Sequence, residues 1–192
     1  MKVLVLGLVL FLGLHSSRIF AAGAREALIR RFGEMSYKGI YSVVSLIGLF
    51  LIVWGFGTAR ANAGLVWQPP VGMRHVALLL VPIALILVVS AYGPTGRIKA
   101  AVVHPMVLGV AVWAFGHLLS NGTSADVLLF GAFFIWAVVD YVASLSRSRR
   151  SGEYPVAAGV RGDVGAIVIG LIIAALLLGD VHEWLFGVSP LA

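Results

Sequence analysis

The sequence predicts an all-α fold, a polytopic membrane helical bundle of about six transmembrane helices with both termini outside. Three observations predict it. Of the 192 residues, 60% are hydrophobic and 11% charged, where a soluble domain carries roughly 25% charged residues to coat its surface. The apolar residues form blocks long enough for helices of about 20 residues, the length that crosses a bilayer's hydrocarbon core. The basic residues crowd into alternate connections. A soluble enzyme is excluded on the first count. The lack of cysteine excludes disulfides, thiolate metal sites, iron–sulfur clusters and cysteine nucleophiles. The length fits one transmembrane domain over residues 1–192.

The spans follow in order. The first covers about residues 3–22, uncharged from Val3 to Ser17. Lys2, the apolar stretch and Ala22-Gly23-Ala24 resemble a cleavable signal peptide, but His15 and Arg18 intervene and the basic cluster follows the apolar stretch. It is therefore read as a retained helix. The second covers residues 39–59, free of charge. The third, 75–96, follows Pro69-Pro70, is interrupted by Pro82, where a kink is expected, and ends at Gly93-Pro94-Thr95-Gly96. The fourth, 101–120, has Pro105 near its start, where a missing N–H is harmless. Asn121-Gly122-Thr123-Ser124 then makes a tight turn into the fifth, 126–145, whose one internal charge is Asp140. The sixth is 164–181. Between the first two lies the longest polar stretch, Arg18–Lys38, where Glu26, Ala27, Leu28 and Arg30 suit a short interfacial helix.

Charge sets the orientation. Connections one, three and five hold every basic residue of the 14 except Lys2, Arg60 and Arg74. The positive-inside rule puts those connections in the cytoplasm and both termini outside. The net charge of +6 is thus dispersed at helix ends facing anionic lipid. It forms no nucleic-acid surface.

Titratable groups within apolar spans are costly and point to function. Four of the five histidines fall within the spans or at their ends, and His182 follows the last. Neutral imidazole is a metal ligand and a proton shuttle. Without cysteine and with few carboxylates, a zinc or di-iron cage is poorly supplied. Haem needs only one or two axial ligands from different helices and a greasy pocket. The plainer alternative for any one histidine is a bond to backbone or a lipid headgroup. By rise along the helix, His15 and His104 belong to the cytoplasmic half and His75, His117 and His182 to the outer half. His104 and His117, 13 residues apart, point about 220° apart around one helix and cannot serve one iron. Depth therefore pairs His15 with His104, or His75 with His117. Arg18 shares a face with His15 at i,i+3 spacing and suits a propionate or other carboxylate. Asp140 suits an ion pair with Arg18 or Arg147. Trp113, four residues before His117, lies on the same face.

The ordered set Leu14-His15-Ser16, Tyr37-Lys38-Gly39, Arg74-His75, His104-Pro105 and Trp113-x3-His117-Leu118-x2-Asn121-Gly122 resembles the NnrU family of bacterial membrane proteins over essentially the whole chain. The resemblance implies an NnrU-like domain in the bacterial inner membrane and an association with denitrification, in the expression of nitrite and nitric oxide reductases. The family is similar to the 15-cis-zeta-carotene isomerases, which hold haem b. Carried over residue by residue, their haem histidines match His15 and His117, and the cofactor implied is haem b. A further histidine of those isomerases has no counterpart in Phe133-Phe134-Ile135-Trp136. For a catalytic role the resemblance implies haem-dependent cis–trans isomerisation or redox chemistry on an apolar small molecule.

Three other functions compete. A non-catalytic assembly factor would bind a membrane partner protein through small-residue faces such as Gly165-x4-Gly170. A transporter would show matching halves and broken helices, and no matching halves are visible. His104-Pro105-Met106-Val107-Leu108-Gly109 resembles a segment of isoprenylcysteine-type membrane methyltransferases, but Val107 replaces its tyrosine and the last loop offers Glu153 alone.

Overall fold

The computed structural model describes residues 1–191. Its helices are α1 (Lys2–His15), α2 (Ser17–Phe20), α3 (Ala22–Phe32), α4 (Glu34–Arg60), α5 (Met73–Tyr92), α6 (Arg97–Val102), α7 (Pro105–Ser120), α8 (Ser124–Ser151) and α9 (Arg161–Leu176). A π-helical turn, Leu177–Val181, joins α9 to α10 (His182–Phe186). Four helices are long and apolar enough to cross a membrane: Glu34–Arg60, Met73–Tyr92, Ser124–Ser151 and Arg161–Phe186. Lys2–His15 and Pro105–Ser120 are apolar but shorter. At 1.5 Å per residue, α1 reaches only about 21 Å, against a hydrocarbon core of about 30 Å. Ser16, itself αR, and α2 prolong this helical path to Phe20.

Lipid gives helices no hydrophobic reason to associate, so close packing must do it, and small residues let backbones approach. In α1 and α4 the glycines mesh antiparallel: a Cβ on Gly55 would lie 2.5 Å from Leu4 N, one on Gly7 2.6 Å from Ile52 N, and one on Gly48 3.0 Å from Phe11 Cβ. Gly109 of α7 meets the Ala84 carbonyl of α5 in the same way, and Gly170 of α9 meets Ile86 of α5. Gly165, by contrast, has open space where its Cβ would be. α8 packs antiparallel on α7 through Trp113, His117, Phe130 and Phe133, and runs parallel to α1, with Phe11 beside Phe133 and His15 beside Trp136. The lateral order is α4, α1, α8, α7, α5, α9. Leu4, Leu8, Leu12, Ile52, Leu129 and Phe130 form the packed centre. Outward stand side chains such as Val9, Leu46, Leu79 and Ile135, each more than 60% exposed, an apolar shell that only lipid can cover.

This alternation gathers the C-termini of α1, α5 and α8 and the N-termini of α4, α7 and α9 at one end, here called the basic end. The connections are tied there as well. Asp163, in the first turn of α9, accepts hydrogen bonds from the backbone N–H groups of Arg97 (2.9 Å) and Ile98 (2.9 Å) and so caps α6 from another loop. At the opposite end Thr123 and Asp126 form a reciprocal capping box on α8. That box explains why a carboxylate sits 7% exposed at the edge of an apolar span. α5 continues as a helix through Pro82.

Candidate functional site

α1 stops at His15, level with Trp136 of α8. Beyond that level α8 runs on to Ser151, about 22 Å further, and α4 extends to Glu34 at its own start. Beside the end of α1 is a cavity of about 900 Å³ at the basic end, within the range of small-molecule sites. One wall is α4, with Tyr37, Lys38 and Tyr41. Another is α8, from Trp136 through Asp140 to Ser148. A third is the α6–α7 junction, with Val103 and His104. The α2–α3 segment brings Ser17, Arg18 and Arg25.

His15 is the last residue of α1, where carbonyls lose their helical partners. Its Nδ1 lies 2.7 Å from the Phe11 carbonyl oxygen. A carbonyl only accepts, so Nδ1 carries a proton and donates it, and in a neutral ring the lone pair would sit on Nε2. Tethering one ring nitrogen to a backbone oxygen is how proteins orient a ligating imidazole. The ring is braced by Phe11 (centroids 4.2 Å apart), Tyr41 (5.3 Å) and Trp136 edge-on (6.1 Å).

His104 lines the same cavity and reaches it through an unusual turn. Val103 has φ 64° and ψ −50° and is the one residue other than glycine with positive φ among the described residues. The His104 N–H donates to the Val102 carbonyl at 2.7 Å, closing a γ-turn of the rare, strained hand. Tyr141 of α8 donates its hydroxyl to the same carbonyl at 2.9 Å. His104 Nε2 is 3.1 Å from Ser148 Oγ. One turn away, Arg147 pairs with Asp140 (3.4 Å) and donates to Ser144 Oγ. Of the two partners the sequence offers Asp140, the structure uses Arg147.

His117 belongs elsewhere. Its Nδ1 donates to the Trp113 carbonyl (2.9 Å), and its ring stacks on Phe130 at 4.6 Å. It does not line the cavity. Between it and His15 stands a relay of aromatic contacts, Trp113 on Phe133 and Phe133 on Phe11. His75 lies exposed in the first turn of α5 at the far end. His182 bonds the Val188 carbonyl at 2.7 Å. The structure therefore brings together His15, His104 and Arg18, and keeps His75 and His117 apart from them.

Sequence reasoning missed Arg25, Tyr41, Tyr141, Ser144 and Ser148 as site residues. Tyr141, Ser144 and Ser148 repeat at i,i+3 and i,i+4 on α8 toward the α6–α7 junction, a polar stripe that the span reading passed over. Arg25 needed the helix break at Ala21, which no local pattern announces.

No curated protein and no solved structure matches the chain significantly. A family model described as NnrU protein matches residues 3–190. A match over nearly the whole length carries one conclusion: the chain belongs to the NnrU family.

Proposed function

We propose that this NnrU-family protein is a haem b protein of the bacterial inner membrane, with His15 as an iron ligand in the basic-end cavity and a role linked to nitrite and nitric oxide reductase expression. The observation that carries it is the setting of His15: Nδ1 is tethered to the Phe11 carbonyl at 2.7 Å, on the wall of a cavity lined by aromatic rings and guanidinium groups. That donor set fits haem. Imidazole is the ligand, aromatic and apolar walls take the macrocycle, and arginine matches carboxylates.

When bound, haem supplies an iron for redox chemistry, gas binding or polarisation of a polyene. The chain's own part is to tether His15, hold its tautomer and exclude lipid with Tyr41 and Trp136. The alternation of basic connections supports a cytoplasmic placement of the cavity. The test is the absorption spectrum of detergent-purified protein from haem-replete cells, oxidised and then dithionite-reduced. A Soret band lost in His15→Ala, with helicity retained, is expected. A featureless visible region would falsify the haem reading and leave a non-catalytic assembly factor as the better account.

A further inference from the structure

We propose that the basic-end cavity takes a ligand with paired carboxylates on an apolar body, and that Arg18 and Arg25 hold those carboxylates. This rests on the reading of the cavity as a porphyrin site and fixes how a porphyrin lies in it. The cationic side chains on the wall are those of Arg18, Arg25, Lys38 and Arg147. Two of them are engaged: Lys38 with Glu34 at 2.8 Å and Arg147 with Asp140 at 3.4 Å. Arg18 makes no hydrogen bond or ion pair with any described residue. Arg25 has its guanidinium 5.5 Å above the Tyr37 ring and acts at longer range on Glu34, the carboxylate that Lys38 already pairs. The remaining wall carboxylate, Glu153, forms no ion pair with either. Arg18 is exposed and Arg25 half-buried, and each leaves its guanidinium open to a carboxylate, which it can take in bidentate fashion.

The rest of the wall sets the other end of the ligand. Trp136, Tyr41, Met106 and Val107 offer an aromatic and apolar surface beside the end of α1, whereas Arg18 and Arg25 come from the α2–α3 segment that follows it. A ligand therefore lies with its apolar body inward and its carboxylates toward the α2–α3 segment.

The test uses metal-free protoporphyrin IX and its dimethyl ester, which share a ring and differ in carboxylates. Binding to the full chain in detergent is read by porphyrin fluorescence. The acid should bind at least tenfold more tightly than the ester. The double variant Arg18→Gln with Arg25→Gln should lose that preference, with the ester's affinity unchanged. Both positions lie outside the packed centre, so helicity by circular dichroism should match the parent. His15→Ala should leave the preference intact, since no iron is involved. Equal binding of acid and ester by the parent chain overturns the proposal, as does a double variant that keeps the preference. Displacement of the acid by equimolar phosphatidylglycerol in mixed micelles also overturns it, by showing a lipid phosphate site. The two readings fail separately. A missing Soret band with an intact acid preference sinks the haem assignment alone, and a normal Soret band with no preference sinks this one alone.

Discussion

Replacing Val103 by glycine should stabilise the protein, although it removes a half-buried side chain. At φ 64° an L-residue carries roughly 1–2 kcal/mol of steric cost, and a β-branched one belongs at the upper end. Glycine relieves that cost. Against the gain stand about 0.5–1 kcal/mol of added backbone entropy and about 0.8 kcal/mol for half of a buried valine's transfer energy. With strain near 2 kcal/mol the balance is a gain of about 0.2–0.7 kcal/mol. Val103→Ala keeps the Cβ and so keeps much of the strain, yet loses the packing. It should cost about 1 kcal/mol. Opposite signs at one position are the signature, read by SDS titration of purified protein with circular dichroism. If both variants destabilise, and glycine more than alanine, strain at this turn is not what decides its stability. The same glycine should loosen His104, because only the Val102 carbonyl would then remain to hold the turn. Its bonds to the His104 N–H and the Tyr141 hydroxyl do not fix the φ of residue 103.

The other expectations are simpler to state. Gly55→Ala should destabilise by about 1–3 kcal/mol or part α1 from α4, because the new methyl meets backbone at 2.5 Å. Gly57→Ala, with nothing within 4 Å, should be neutral or gain up to about 1 kcal/mol in helix propensity; an equal loss at both positions, in the same SDS titration, would contradict the packing account. Asp163→Ala should uncap α6 at a cost of about 1–2 kcal/mol, visible as faster hydrogen exchange at Arg97 and Ile98. Tyr141→Phe should cost about 1 kcal/mol for its single hydroxyl bond and raise exchange at His104, whereas unchanged exchange there would show that the hydroxyl does not hold the turn.

The apolar blocks were readable because each helix needs a run of uncharged residues, and those runs lie between charges that any reading registers. Helix bounds were less so. The helical path from Lys2 passes through Ser16, which is itself αR, to Phe20 and breaks at Ala21, where the polar segment begins. Asp140 was legible as a membrane-edge charge with a short list of partners, and Arg147 on the same helix is the one it meets. The turn at Val103 was not legible, since nothing in Lys99-Ala100-Ala101-Val102-Val103 demands a positive φ at a β-branched residue. It arises from the tertiary bond of Tyr141 and from Pro105, which cannot continue the preceding helix. Small residues in apolar helices were visible, but which of them meet a neighbour was not: Gly170 touches Ile86 while Gly165 faces open space.

The pairing of histidines is where sequence comparison and geometry pull apart, and one experiment decides between them. Two axial ligands of one iron must meet it from opposite faces of a single macrocycle. His15 and His104 line one cavity, in keeping with their shared depth along the helices. His117 would have to reach the same iron past Phe133 and Trp113, whose rings lie edge-on at 5.7 Å and bridge Phe11 to α7. Opening that relay would break aromatic contacts of about 0.5–1.5 kcal/mol each, along with the stack of His117 on Phe130 at 4.6 Å. Under the haem proposal, His117 thus stands outside the cavity that His15 and His104 share. His117→Ala should keep the Soret band and lower stability by roughly 1–3 kcal/mol. His104→Ala should shift the reduced-minus-oxidised spectrum, and His15→Ala should remove it. The reverse pattern, with His117→Ala colourless and His104→Ala unchanged, would place the iron across the aromatic relay and require α1 and α7 to close on it in the loaded protein.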